Sequence, residues 1–465
     1  MSATIHDPVH LTATELSAAF QARTLSPIEV TEALLARIVA LNPKLHAYVD
    51  VFGDDALLAA RAADQAIRAG HAVGPLHGVP VALKDLIEIE GRVAHGRLAN
   101  PSQQLSQQTA TLAKKLLAQG MVVLGKTHTV EFAYGGWGTN KHLGTPWNPW
   151  GRRDAAHARR LQQRIGVAVA ARLAPWAVGT DTGGSVRIPS SFCGLTGLKV
   201  TRGRISNAGI IPLSPTLDTP GPMARSVADA AWLFAVMQGE DPADGLTRGI
   251  APIDPLRRAD ARRRRAAAGA HARHRARRDR SGSPRGLRRR AGGARTPGRN
   301  DRGRHAAEEP AGLCGGEPVL MAEGYAHYGA IAEDPASQID PAVRRRLLAG
   351  AMPARDYLAA FWRREALAEE FRTAIAGVDA LLTPTTPAPA IPVATADEAL
   401  TPALLTRFVN QMGFCALALP SGFTAAGLPL SLQIIGRGFE EALVLRIGAA
   451  YQDATEWHHR RPPIG

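Results

Sequence analysis

The stretch "WAVGTDTGGSVRIPSSFCGLTGLK", Trp176 to Lys199, constrains the fold of this chain more than any other. Its apolar start, Trp176 to Gly179, reads as a short strand. The strand runs into Thr180-Asp181-Thr182-Gly183-Gly184-Ser185, and the chain resumes with Val186-Arg187-Ile188. Two glycines before a serine let the backbone turn tightly and let successive N–H groups converge on one point. Converging donors of this kind make an oxyanion hole. Asp181 is suited to brace the turn by accepting backbone hydrogen bonds. Taken alone, Gly-Gly-Ser is better read as a structural turn that ends in a capping serine, a reading that weakens against the full string.

The neighbouring text supplies the sheet that such a turn needs. "GVPVALKDL" reads as a buried strand ending in a charged pair, "TLAKKLLAQG" as a helix with a glycine C-cap and "MVVLGKT" as the next strand. Near the C-terminus, "CALALPSGF" and "LPLSLQIIGR" read as two more strands joined by a turn at Ala425–Gly427. Residues 10–70 read as helices. Thr12-x-x-Glu15 has the form of a capping box, and Ser26-Pro27-Ile28-Glu29 sets a cap, an N1 proline and an N3 carboxylate in order. Val30, Leu34, Leu35, Ile38 and Leu41 then recur at helical spacing. Strands alternating with helices imply an α/β fold.

At 465 residues and 45% apolar, the chain can bury a large core. Its N-terminus lacks the charged and apolar regions of an export signal, and no run approaches a membrane span, so a soluble cytoplasmic protein is expected. Cys193, Cys314 and Cys415 are far apart and odd in number, which suits neither a disulfide framework nor a zinc site. The net charge of +14 suggests nucleic acid, but its distribution does not. Residues 257–304 carry +16 and residues 151–166 carry +4, leaving −6 for the rest. The Arg, Ala and Gly of 257–304 show no periodicity and read as a disordered basic loop, with a nucleic-acid arm as the alternative.

A nucleophilic serine needs a base. None of the 15 histidines sits in a metal or triad motif; there is no H-E-x-x-H and no G-x-S-x-G. Lys84, at the end of Val79-Pro-Val-Ala-Leu83, is the better candidate. A lysine at the mouth of a buried strand can lose solvation, which lowers its pKa and lets it act as a base. From its position alone, a solvated strand-end lysine is the favoured alternative.

Together, "PLHGVPVALKDLIEIEG", "GKTHTVEFAYGGWGTNKHLGTPWNPW" and "GTDTGGSVRIPSSFCGLTGLKVTRGRIS" closely resemble the amidase signature family of serine hydrolases. The resemblance covers about residues 10–250 and 317–462. It implies one large domain spanning 1–465, with N-terminal helices over 10–70, a signature core over 74–250 and the rest of the core over 317–462. The implied fold is α/β, a mixed central sheet flanked by helices. The family's Ser–cis-Ser–Lys triad hydrolyses amides through an acyl-enzyme. Carried over by motif, Ser185 is the nucleophile, Lys84 the terminal base, and the N–H groups of Thr182, Gly183, Gly184 and Ser185 the oxyanion hole. Gly135, Gly136 and Trp137 are candidates for the acyl pocket, with an ordinary glycine turn as the alternative. No metal or cofactor is implied. The expected partners are a small-molecule amide and at most a second copy of the chain, with no nucleic acid and no membrane.

The family's middle serine lies in a Pro-Gly-Gly-Ser-Ser-Ser-Gly-Ser-like loop. At its spacing from Ser185 this chain has Leu161, within Ala158-Arg-Arg-Leu-Gln-Gln-Arg-Ile-Gly166. Those residues can be encoded GCC CGG CGG CTC CAG CAG CGG ATC GG. Read one base later, the same bases spell Pro-Gly-Gly-Ser-Ser-Ser-Gly-Ser. Arg-rich text is also what a GC-rich gene yields out of frame over 257–304, so two compensated frameshifts are expected, and the chain as written lacks its proton bridge. The leading expectation is an amidase releasing ammonia or an amine from a carboxamide. The alternatives are the A subunit of a tRNA-dependent amidotransferase and a catalytically dead or basic nucleic-acid-binding protein.

Overall fold

The computed structural model describes residues 7–97, 105–151, 166–255, 317–396 and 401–464. Leu161 and all of 257–304 lie outside the described residues, as does 151–166 apart from its two end residues.

Among the described residues, nine strands form one mixed sheet: β1 Tyr48–Val51, β2 Pro80–Lys84, β3 Val122–Thr127, β4 Trp176–Asp181, β5 Thr196–Lys199, β6 Thr219–Ala224, β7 Leu381–Pro384, β8 Cys415–Phe423 and β9 Pro429–Gly436. Their order across the sheet is β1-β3-β2-β4-β6-β5-β8-β9-β7. Among the described residues, twelve α-helices accompany it. The first seven are α1 Ala13–Gln21, α2 Pro27–Leu45, α3 Gly53–Arg68, α4 Thr111–Ala118, α5 Gly166–Ala170, α6 Arg187–Cys193 and α7 Val227–Met237. The remaining five are α8 Glu317–Glu333, α9 Pro341–Leu348, α10 Ala354–Ala374, α11 Arg407–Gln411 and α12 Glu441–Asp453. No helix among the described residues is long and apolar enough to cross a membrane.

Local chemistry explains where the first helices begin. Thr12 Oγ1 accepts the Glu15 N–H at 3.2 Å while the Glu15 carboxylate accepts the Thr12 N–H at 2.7 Å. Ser26 and Glu29 repeat the exchange at 3.1 and 2.8 Å, with Pro27 at the first helical position. Each pair satisfies two N–H groups that a helix start otherwise leaves open. The expected stripe of α2 is buried through Val30, Leu34, Ile38 and Leu41. The helical reading of 10–70 misses β1, a four-residue strand that pairs antiparallel with β3. Only Tyr48 of that strand is buried, so no apolar alternation marks it.

The centre of the sheet determines where chemistry can occur. β2 runs parallel to both neighbours, with Lys84 opposite Thr127 of β3 and Leu83 opposite Val178 of β4. All residues of β2, β3 and β4 are buried, as expected of parallel strands covered on both faces. Because β2 and β4 point the same way, Lys84 and Asp181 leave the sheet at one edge. In open α/β sheets ligands bind beyond this carboxyl edge. After the turn, Val186-Arg187-Ile188 opens α6 and does not extend a strand.

Candidate active site

The site starts from β2 and β4. Lys84 is 1% exposed, and its ammonium donates to Thr180 Oγ1 at 2.7 Å. Beyond Thr180 the chain turns through Thr182–Ser185, and Asp181 braces that turn from inside. Asp181 Oδ1 accepts the Gly184 N–H at 2.7 Å, and Oδ2 accepts the Val186 N–H at 3.2 Å. Arg187, completely buried, donates to both oxygens of Asp181 at 3.0 and 2.9 Å. It also donates to the Thr406 carbonyl at 2.9 Å, Gln433 Oε1 at 2.7 Å and Asn410 Oδ1 at 2.6 Å. Burial pushes the Asp181 carboxyl up, but the charge and hydrogen bonds of Arg187, with Lys199 and Asn410, outweigh it. The carboxyl stays well below the usual range.

One expected donor is diverted by this bracing. The sequence leads one to expect the N–H groups of Thr182, Gly183, Gly184 and Ser185 to point together, yet the Gly184 N–H is bonded to Asp181. The carboxylate needed to hold the turn takes that donor. Gly184 has another role. Its φ is +130°, and a Cβ there would collide with Thr406 Oγ1, which donates to the Gly183 carbonyl at 2.7 Å. A Gly184→Ala variant is therefore expected to lose about 1–3 kcal/mol of stability, from backbone strain and overpacking, measured by urea unfolding.

Ser185 is 7% exposed and, with Thr182 and Gly183, lines a cavity of about 470 Å³. Gly135 and Gly136 line the same cavity, with Leu213, Leu320 and Met321 among its apolar wall residues. Trp137 does not line it; the indole packs against the cluster of Ile188, Phe192, Ala390 and Ala403. Lys84 is not among the residues that line the cavity; it ends β2, which pairs with β4, the strand that leads to Ser185.

Two groups of residues escape notice in the sequence. Asp218 accepts the N–H groups of Leu213 and Ser214 at 2.8 and 2.9 Å and the Thr182 hydroxyl. Burial pushes its carboxyl up to about 6, against those donors and the charge of Lys84. Its loop is tied to α8 by Glu323, which accepts from Ser214 Oγ at 2.5 Å and Thr216 Oγ1 at 2.8 Å. The second group is cationic: among the described residues, Arg345, Arg346 and Arg407 line the cavity with one acid, Glu317, which pairs with Arg407. Arg346 also donates to the Tyr134 carbonyl at 2.9 Å. A cavity with an excess of guanidinium groups favours anionic ligands.

A mixed sheet with a buried lysine and a braced Gly-Gly-Ser turn at one edge is the frame of a C–N hydrolase, and this chain belongs to the amidase family. The family model matches residues 29–156, 165–268 and 322–445. Similar proteins include the glutamyl-tRNA(Gln) amidotransferase A subunit of Chloroflexus aurantiacus, 35% identical over 98% of this chain and 99% of that one. The corresponding protein of Alkalilimnicola ehrlichii is 36% identical, over 97% and 98%. Among solved structures, the peptide amidase of Stenotrophomonas maltophilia is 28% identical, with a TM-score of 0.77 over 97% of this chain and 98% of that one.

These relatives correct the expected partners. A chain that works on a small amide, alone or with a second copy of itself, and without nucleic acid, does not agree with them. They are subunits of a larger enzyme named for a tRNA, matched over nearly their whole length. The charge distribution misleads here because it bears only on binding by the basic segments. An acidic remainder does not prevent a chain from joining other subunits.

Proposed function

We propose that the chain is the A subunit of a glutamyl-tRNA(Gln) amidotransferase, hydrolysing a carboxamide and passing the released ammonia to a partner subunit. The likeness to such subunits over nearly the full length of both chains carries this reading. The cavity adds to it: Arg345 and Arg346 suit an amide that also bears a carboxylate, as glutamine does.

In the proposed chemistry Ser185 attacks the carbonyl carbon, and N–H groups of the Thr182–Ser185 turn other than that of Gly184 hold the oxyanion. Lys84 receives the serine proton through a hydroxyl at position 161 and returns it to the departing ammonia. Water then hydrolyses the acyl-enzyme to the carboxylate. With Leu161 in place the relay has no bridge, so we read residues 151–166 and 257–304 as text from a neighbouring frame. In support, the family match lapses over part of each stretch, between 156 and 165 and between 268 and 322, although it runs on through 151–156 and 257–268.

A free amidase is the second reading, favoured by the likeness to the peptide amidase. The two separate in one experiment on the chain with its serine loop restored. It is co-expressed with the other amidotransferase subunits of the same genome and assayed for glutamine-dependent conversion of glutamyl-tRNA(Gln) to glutaminyl-tRNA(Gln). Stable co-purification and conversion are expected. Rapid hydrolysis of peptide or aryl amides by the chain alone, with neither complex nor conversion, would establish the free amidase instead.

A further inference from the structure

We propose that a second, cationic cavity beside α11 binds a small phosphate-bearing ligand. The cavity measures about 380 Å³, large enough for such a molecule, and it is separate from the one that Ser185 lines. Lys199, Arg202, Arg364, Arg372 and Arg437 line it against one carboxylate, Glu365.

Matching each cation with its partners shows what is missing. Arg364 pairs with Glu365 at 3.1 Å, Arg437 with Glu440 at 3.0 Å, and Arg372 with Glu369. Lys199 and Arg202 make no ion pair among the described residues. Arg202 donates only to the Pro215 carbonyl, at 3.5 Å. Lys199 is 1% exposed, and its ammonium donates to the carbonyls of Val200 and Phe414 at 2.8 Å each. An ammonium has three donors, so one is left without an acceptor among the described residues. The carboxylates whose charge reaches Lys199 are already engaged, Asp181 with Arg187 and Glu441 with Arg204. Burial, followed by the charge of Arg187, lowers the Lys199 pKa to about 8.

A buried ammonium short of acceptors is costly unless an anion joins it. Five cations against three carboxylates leave two positive charges unmatched. A phosphate group carries about −1.5 to −2 at neutral pH and has three acceptor oxygens, so it balances that excess. The planar fork of an arginine such as Arg202 matches phosphate oxygens in pairs. The occupant would sit against Asn410, which lines the cavity and donates to Asp181 Oδ1 at 2.9 Å. Binding should therefore stiffen the network that braces the Ser185 turn. The proposal does not depend on the chemistry assigned to Ser185.

The test is calorimetry and thermal unfolding of the full chain with inorganic phosphate and with ribose 5-phosphate, at constant ionic strength in chloride buffer. Saturable binding and a raised Tm are expected, with affinity weakened at least tenfold in Arg202→Ala and in Lys199→Met. Arg202 is only half-buried, so its variant serves even if Lys199→Met fails to fold. Tighter binding of ribose 5-phosphate would identify the ligand as a phosphomonoester, and tighter binding of inorganic phosphate would identify it as the free ion. No saturable binding of either probe would overturn the proposal. Binding unchanged in Arg202→Ala but lost in Arg345→Ala would also overturn it, because the anion would then lie in the Ser185 cavity.

Discussion

Replacing residues 158–165 with Pro-Gly-Gly-Ser-Ser-Ser-Gly-Ser is expected to raise amide hydrolysis at least about a thousandfold over the chain as written. Losing one member of a catalytic triad costs orders of magnitude, and restoring it should recover them. A leucine offers no hydroxyl to carry a proton between Ser185 and Lys84. Leu161→Ser alone should recover less, because it supplies the hydroxyl without the glycines of the loop. Adding Ser185→Ala to the restored chain should abolish the gain while leaving Tm unchanged. A restored chain that folds and gains nothing would sink the assignment of Lys84 and Ser185. Resequencing the gene separately decides the frame, since in-frame codons for the arginines would make the lesion real.

The second large effect concerns stability. Arg187→Met is expected to destabilise the fold by about 3–5 kcal/mol, the cost of leaving a buried charge without its partner. Asp181, completely buried, is the charge left behind. The pH dependence follows from its depressed carboxyl. In the parent chain that carboxylate stabilises the fold fully above about pH 4, the unfolded value, and the contribution is lost as the pH falls further. In the variant, burial no longer meets an opposing guanidinium, and the Asp181 pKa rises above its unfolded value. The stability gap should thus be widest near neutrality and narrow as the pH drops toward 4. Urea unfolding of both proteins at several pH values measures it, and a gap independent of pH would deny the ion pair this role.

What could be read in advance was what is local in the chain. The capping pairs Thr12–Glu15 and Ser26–Glu29, the strand ending at Lys84 and the turn ending at Ser185 each lie within a few residues. Their side chains also have only a few uses in such settings. Asp218, Thr406, Asn410 and the cavity arginines were hidden because they reach the site from distant segments, and a lone Asp or Thr has no neighbours to mark it. The Gly184 donor is misread for a related reason. Glycines show that a turn can form, but which N–H the brace takes depends on where Asp181 points. Trp137 sits next to two lining glycines in sequence, yet its indole packs against Ile188, Phe192, Ala390 and Ala403 and does not line the cavity.

Arg187 bonds to Gln433 across 246 residues and to Asn410 across 223. During synthesis at roughly 5–20 residues per second, the partners of this arginine therefore emerge tens of seconds after it does. Until then the turn has only its local bonds, from Arg187 and from the N–H groups of Gly184 and Val186 to Asp181, and it lacks its outer clamp. A nascent chain stalled before residue 406 would carry every residue of the Ser185 turn and its local brace, yet lack the bonds of Arg187 to Thr406, Asn410 and Gln433. The finished clamp thus arrives with the last strands of the sheet.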